Sequence, residues 1–139
     1  MKFVVDVERR LVIARFPKVL TGAEIQSYVT ALCSHPGFDP SFSEIADISA
    51  VTKLPLDASE FLQLADDIDP FLATSKRAFV VRTPVQMHAA RIHKMLRNQR
   101  NFEIFPTLAE AEHWISDLER RNHPLENRSG ADQTVRECG

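Results

Sequence analysis

Three polar residues follow a short apolar segment near the middle of the chain, and their types suit hydrogen bonding to a small molecule. Ile45 to Ile48 is typical of a buried strand, and Asp47, Ser49 and Thr52 lie at or just after its end. In open α/β sheets, ligands bind outside the carboxyl ends of the strands. These residues, with the loop after Arg82, are therefore candidates for a ligand pocket. A competing interpretation, which the sequence favours, is that Asp47 and Ser49 satisfy backbone groups of the loop.

A serine in the stretch Asp57-Ala58-Ser59-Glu60 is a candidate for phosphorylation or for an ordinary place in the first turn of a helix. Asp57 and Glu60 have the spacing of a capping box, in which a side-chain oxygen caps the helix and a residue three positions later reaches back. The same device recurs at Thr21…Glu24, Thr83…Gln86 and Thr107…Glu110. The spacing therefore predicts four helices with similar starts and makes Ser59 a first-turn residue.

A basic stripe is the third candidate site, on the helix predicted after Pro84. Its members, each three residues after the one before, are Arg91, Lys94, Arg97 and Arg100. The opposite face is predicted to pack on the core through Val85, Ala89, Ile92 and Leu96. The stripe is thus a candidate surface for an acidic protein partner, and a solvated helix face is the alternative. Nucleic acid is not predicted, because the isoelectric point is about 6.2 and the helix lacks aromatic residues for base stacking.

The histidines and cysteines predict neither a metal site nor a cofactor site. His88 is expected to be partly buried toward the inner face of its helix, with His93 on a different face, so the two do not form a zinc pair. His35 is expected to organise the turn that follows it. The two cysteines, Cys33 and Cys138, lie far apart and do not have the spacing of a disulfide framework or a zinc ligand set.

Catalysis is not predicted either. The four glycines are not clustered into a phosphate-binding loop, and no His-Glu-x-x-His or paired-cysteine motif occurs. Nothing in the sequence resembles a nucleophile with an activating base. The residues favour a non-enzymatic protein, and an enzyme of unknown type is the weaker alternative.

The elements that must position these residues follow from composition and periodicity. The chain has 139 residues, is 44% hydrophobic and 26% charged, and carries a net charge of -2, which fits one ordinary globular domain. The first residues reach Asp6 too soon for a signal peptide, and no apolar run approaches the roughly 20 residues that span a bilayer. We therefore expect a cytoplasmic protein without integral membrane association.

The apolar segments before and after Glu8-Arg9-Arg10 predict two strands that form a β-hairpin. After this hairpin, predicted helices and strands alternate along the chain. This order predicts an α/β fold: a mixed, largely parallel sheet of about five strands covered by about four helices. The domain is expected to span residues 1–122. Residues 123–139 are polar and are expected to form a disordered tail.

Two longer stretches resemble a known family. HPGFDPSFSEIADIS, followed near the end by FEIFPTLAEAEHWI, looks like the SpoIIAA-like group of small bacterial proteins, which is similar to STAS domains. The resemblance implies a STAS-like α/β fold and no established reaction. In the anti-sigma-factor antagonists of the STAS family, a serine of an Asp-Ser-Ser-Gly motif is phosphorylated. The resemblance implies that Ser59 is the corresponding phosphorylation site in this chain. Ala58 and Glu60 depart from that motif, and the charge of Glu60 would repel a phosphate.

The function expected from these observations is that of a protein-interaction module, regulatory as in STAS domains. The alternative function, from another class, is the binding of a small apolar or anionic ligand in a pocket at the carboxyl ends of the strands. The first would use the basic stripe, and the second would use the polar residues around Asp47.

Overall fold

The computed structural model describes residues 1–55, 69–97 and 100–122, and the side chains of these residues up to position 116. Five strands and three helices lie in this part of the chain. In chain order they are β1 (Lys2–Asp6), β2 (Leu11–Arg15), α1 (Gly22–Cys33), β3 (Ser43–Asp47), β4 (Arg77–Val80), α2 (Pro84–Arg97), β5 (Phe102–Phe105) and α3 (Leu108–Asn122).

The strands form one mixed sheet in the order β1-β2-β3-β4-β5. β1 pairs with β2 in antiparallel orientation as a hairpin, and all later pairs are parallel. The predicted fold class is confirmed. The second of the four predicted helices, capped by Asp57, lies largely outside the described residues. The predicted tail at 123–139 lies outside them as well.

Three of the four predicted capping boxes can be compared with the structure. The cap bond is confirmed in all three, and of these three the complete box is present at Thr83, whose N–H donates to Oε1 of Gln86. The backbone N–H of Glu24 donates to Oγ1 of Thr21 at 3.1 Å. Likewise, the N–H of Gln86 donates to Thr83 Oγ1, and that of Glu110 donates to Thr107 Oγ1, each at 3.2 Å. Each bond satisfies a backbone donor that the first helical turn leaves without a partner.

Helices cover both faces of the sheet. On one face, Ala111 and Ile115 of α3 pack on a cluster that includes Leu11, Ile45 and Val80. The opposite face carries two clusters. One surrounds Tyr28 and Leu32 of α1, together with Val12, Ala14, Phe42 and Phe71. The other surrounds Ala90 of α2, together with Ala46, Phe79 and Phe102. The cavity described below lies on this second face.

The loop after α1 is held by its own side chains. Nδ1 of His35 accepts a hydrogen bond from the N–H of Gly37 at 3.0 Å, which confirms the predicted role of His35 in this turn. Asp39 Oδ1 accepts from both the N–H and the hydroxyl of Ser41. The ring of Phe38 packs edge-on against Phe71 at 5.3 Å. This loop therefore connects α1 to the start of β3 in a fixed direction.

Two further findings concern the helices. Among the helices of the described residues, none combines the length and the apolar character needed to cross a membrane. Cys33, the last residue of α1, is disulfide-bonded, which the sequence spacing did not predict.

Candidate functional site

A cavity of about 450 Å³ lies between the second face of the sheet and the helices α1 and α2. This volume is in the range of small-molecule sites, which typically measure about 300–1,000 Å³. Most of its walls are apolar side chains: Phe16, Leu20, Ile25, Val29, Ala46, Ile48, Val51, Leu54, Pro70, Phe79, Val85 and Ala89. The polar lining residues lie in two groups, one at each end of the parallel strands.

The first polar group is built on the starts of β3 and β4. Glu44 and Arg77 are register partners in the parallel pairing of these strands. Nε and NH2 of Arg77 donate to Oε1 of Glu44 at 2.9 and 2.7 Å, and the hydroxyl of Tyr28 donates to Oε2 at 2.7 Å. Both carboxylate oxygens of Glu44 are therefore engaged.

Asp69 completes this buried ion-pair network. Its Oδ2 accepts from NH1 of Arg77 at 2.9 Å and from Nε of Arg97 at 2.7 Å, while Oδ1 accepts from the N–H of Phe71. The side chains of Glu44, Asp69 and Arg77 are each 4% exposed. Two carboxylates and two guanidinium groups thus balance each other with short, charge-assisted bonds.

The pKa values of this network show which groups stay charged. Burial opposes the ionisation of Asp69, but the charge of Arg77 and its hydrogen bond outweigh burial and hold the pKa below its ordinary value. For Arg77, burial is outweighed by Asp69 and Glu44, and the pKa is raised. Burial, reinforced by the charge of Glu44, raises the pKa of Tyr28. Asp69 and Arg77 are therefore ionised at neutral pH, with a neutral tyrosine nearby.

His93 lies next to this network and also lines the cavity. Its ring lies 5.3 Å from the ring of Phe79 and 6.5 Å from that of Phe102, measured between centroids. Burial, together with the positive charge of Arg77, lowers its pKa from 6.5 to about 3, so the imidazole is neutral at physiological pH. Its Nδ1 is buried and has no hydrogen-bond partner.

The second polar group lies at the carboxyl ends of the strands and contains the pocket candidates predicted from the sequence. Asp47 Oδ1 accepts from the N–H of Ser49 at 3.0 Å and from its hydroxyl at 2.6 Å. The hydroxyl of Thr52 donates to the backbone oxygen of Lys18. Ser49 and Thr52 line the cavity, whereas Asp47 is not part of its lining. Asp47 therefore affects the cavity indirectly, because its bonds to Ser49 fix the loop that lines it.

Gln86 joins the loop at Ser49 and Val51 to α2. The sequence did not predict it as a site residue. Its Nε2 donates to the backbone oxygens of Ser49 and Val51, at 3.1 and 2.8 Å. Its Oε1 accepts from the N–H groups of Arg82 and Thr83. The capping-box spacing identified the bond to Thr83, but the bonds to a loop more than 30 residues away depend on tertiary structure.

The orientation of α2 differs from the predicted one. Gln86 and Ala90 are buried, whereas Val85 is 74% exposed and His88 is exposed. The predicted inner face was therefore wrong at Val85 and at His88. The helix is rotated because the amide of Gln86 finds four backbone partners inside, so a polar residue takes the buried position.

This rotation also corrects the predicted basic stripe. Arg91, Lys94 and Arg100 are exposed, but the side chain of Arg97 is only 13% exposed and pairs with Asp69. Its NH2 also donates to the backbone oxygen of Phe71 at 3.2 Å. The prediction that Arg97 is free for a partner is wrong, because the ion-pair network uses it.

The network itself was not predicted from the sequence. Glu44 and Arg77 each precede the apolar residues of a buried strand, and a charge at such a position is the one signal that would have pointed to a buried pair. Ser59, the candidate phosphorylation site, lies outside the described residues. Within 1–55, 69–97 and 100–122, no group of three or more histidine, cysteine or carboxylate side chains could hold a metal ion.

Comparisons with known proteins do not extend these observations. Neither a protein-family model, nor a curated protein, nor a solved structure matches the chain. The resemblance to the SpoIIAA-like group therefore stays a prediction, and the function must be inferred from the geometry of the site.

Proposed function

We propose that this protein binds a small apolar molecule in the cavity between its sheet and the helices α1 and α2. The observation that carries the proposal is the cavity itself, with about 450 Å³ of space, mostly apolar walls and polar groups confined to its two ends. Such a combination is typical of sites that bury most of the surface of a small ligand. The role is non-enzymatic, as expected from the sequence.

Two features support a cavity that exists before the ligand arrives. At one end, the ion-pair network joins β3 to β4 through Glu44 and Arg77, and joins β4 to α2 through Asp69, which bonds to both Arg77 and Arg97. At the other end, Gln86 holds the loop at Ser49 and Val51 against the start of α2. A preformed site binds more tightly because less ordering is required on association.

The uncharged dye N-phenyl-1-naphthylamine provides a direct test, because its fluorescence rises in apolar surroundings. We expect the fluorescence of the dye, excited at its own absorption band, to rise saturably as the wild-type protein is added. Ala89→Trp places an indole in the cavity lining and should abolish the signal, whereas His88→Trp adds the same group at an exposed position of the same helix. An absence of binding by the wild type, or equal binding by both variants, would contradict the proposal.

A second candidate function is the binding of an acidic protein partner, as the sequence and the SpoIIAA-like resemblance predict. Its support is the outer face of α2, where Arg91 and Lys94 are exposed beside Met95, which is 71% exposed. Charge reversal by Arg91→Glu and Lys94→Glu should slow association and reduce its salt dependence, with thermal stability unchanged. A partner isolated by pull-down from the native cells would be measured against both proteins, and equal association rates at low salt would exclude this face.

A cytoplasmic location also stays a proposal. Its support is that the sequence contains no long apolar run. The disulfide-bonded Cys33 argues in the other direction, because disulfides are rare in the reducing cytosol. Fractionation of the native cells, with alkylation of free thiols, would decide between the two.

A further inference from the structure

The buried charged groups of the cavity lining are already paired with each other, which restricts the ligands that the cavity can hold. All three nitrogens of the Arg77 guanidinium donate to carboxylates, and all four oxygens of Glu44 and Asp69 accept hydrogen bonds. Arg97 supplies the second positive charge through its bond to Asp69. The two positive and two negative charges of the network thus balance each other, so it offers no net charge to an anionic or a cationic ligand.

A charged ligand would have to break this network or enter the apolar part of the cavity without a counter-ion. Leaving a charge buried without its partner costs about 3–5 kcal/mol, which corresponds to more than a hundredfold in affinity. Lys53 also lines the cavity, but it is an exposed residue at the rim and is surrounded by solvent. An ion pair at such a place contributes little.

One polar side chain of the lining differs from the paired groups. His93 is uncharged at neutral pH, and its Nδ1 has no hydrogen-bond partner. A buried polar atom without a partner costs free energy, which a ligand would recover by bonding to the imidazole. Phe79 and Phe102, on which the ring packs, keep it in place beside the apolar walls.

We infer that the cavity selects uncharged ligands, with an apolar body against the sheet and one hydroxyl-like group bonded to the imidazole of His93. This inference rests on the proposed function and narrows it to one ligand class. It decides between the apolar and the anionic ligands that the sequence left open, because the closed ion-pair network leaves no charge for an anion.

Two dyes that share one fluorophore separate these possibilities. N-phenyl-1-naphthylamine is uncharged, and 8-anilinonaphthalene-1-sulfonate is the same ring system with a sulfonate. We expect the uncharged dye to bind at least about tenfold more tightly, and Lys53→Gln to leave that ratio within about twofold. Equal or tighter binding of the sulfonate would overturn the inference while leaving the proposed function intact. Binding of neither dye would remove the proposed function and the inference with it.

A second matched pair tests the hydrogen bond to His93. We expect 1-decanol to displace the bound uncharged dye about tenfold more effectively than decyl methyl ether, which lacks the hydroxyl proton. His93→Phe keeps an aromatic ring at this place and should remove the difference, with the uncharged dye still bound. His93→Leu serves as a second variant if the first does not fold. Equal displacement by the two compounds in the wild type would show that His93 does not anchor the ligand.

Discussion

Arg77 and Glu44 occupy opposing positions of two parallel strands, and the guanidinium donates two hydrogen bonds to a single carboxylate oxygen. The pair lies at the starts of β3 and β4, on the face that carries the cavity. The guanidinium also lies over the ring of Phe71, 4.6 Å from its centroid. This one pair therefore joins the sheet, the loop at Asp69 and the aromatic cluster under α1.

We expect Arg77→Met to destabilise the protein strongly. The substitution leaves the carboxylates of Glu44 and Asp69 buried without their main partner, which typically costs about 3–5 kcal/mol. Arg9→Met is the matched control, because Arg9 also bridges two carboxylates but is 46% exposed. The free energy of unfolding in urea would compare the two variants with the wild type. Similar small losses in both would show that the buried network contributes little to stability.

Gln86→Ala should destabilise the protein by about 1–3 kcal/mol, because it leaves two backbone oxygens and two N–H groups, all buried or half-buried, without their partner. The control is Glu110→Ala in the capping box of α3, where the side chain is exposed and bonds only within its own helix start. Hydrogen exchange should also accelerate around Ser49 and Val51 in Gln86→Ala alone. Unchanged exchange there would mean that the loop does not depend on the amide.

His93 should make the protein less stable as the pH falls. The pKa of His93 is about 3 in the folded state and near 6.5 in the unfolded chain. Between these values the unfolded state binds a proton and the folded state does not. Arg77 and Arg97 oppose protonation and Asp69 favours it, but burial dominates. Stability is therefore lost progressively between pH 6.5 and 3, with a slope of at most about 1.4 kcal/mol per pH unit from this residue.

The lowered pKa of Asp69 acts in the same direction at lower pH, below its ordinary value of 3.8. His93→Phe should consequently flatten the stability curve between pH 6.5 and 4, where Asp69 contributes little, and leave the fall below pH 4 in place. Urea denaturation at each pH would measure both curves. Parallel curves for the wild type and the variant over that upper range would refute the role of His93.

Asp47→Ala should separate the structural from the ligand-binding interpretation of this residue. The carboxylate accepts two hydrogen bonds from Ser49 and does not line the cavity. We expect a loss of about 1–2 kcal/mol in stability and an unchanged affinity for N-phenyl-1-naphthylamine. The dye titration would be run on the folded variant below its melting temperature. A loss of affinity without a loss of stability would make Asp47 a direct ligand contact.

The local features of this protein were determined by the sequence alone. Alternation and helical spacing predicted the hairpin, the order of strands and helices, and the fold class, since these patterns depend on residues close together in the chain. The capping boxes at Thr21, Thr83 and Thr107 were likewise predicted, because each joins groups three residues apart. The turn at His35 belongs to the same kind of contact.

The site was decided by the tertiary structure. Glu44, Arg77 and Arg97 are far apart in the sequence. Strand register brings Glu44 to Arg77, and the rotation of α2 brings Arg97 to Asp69, which also bonds to Arg77. The hydrophobic pattern placed Val85 in the core, but a charged or polar side chain can take an inner position when partners satisfy its hydrogen bonds there. Gln86 and Arg97 do so, and their partners lie 26 to 37 residues away. The sequence pattern of α2 reflects hydrophobicity and contains no information about those distant partners. It therefore could not predict which face of the helix is buried.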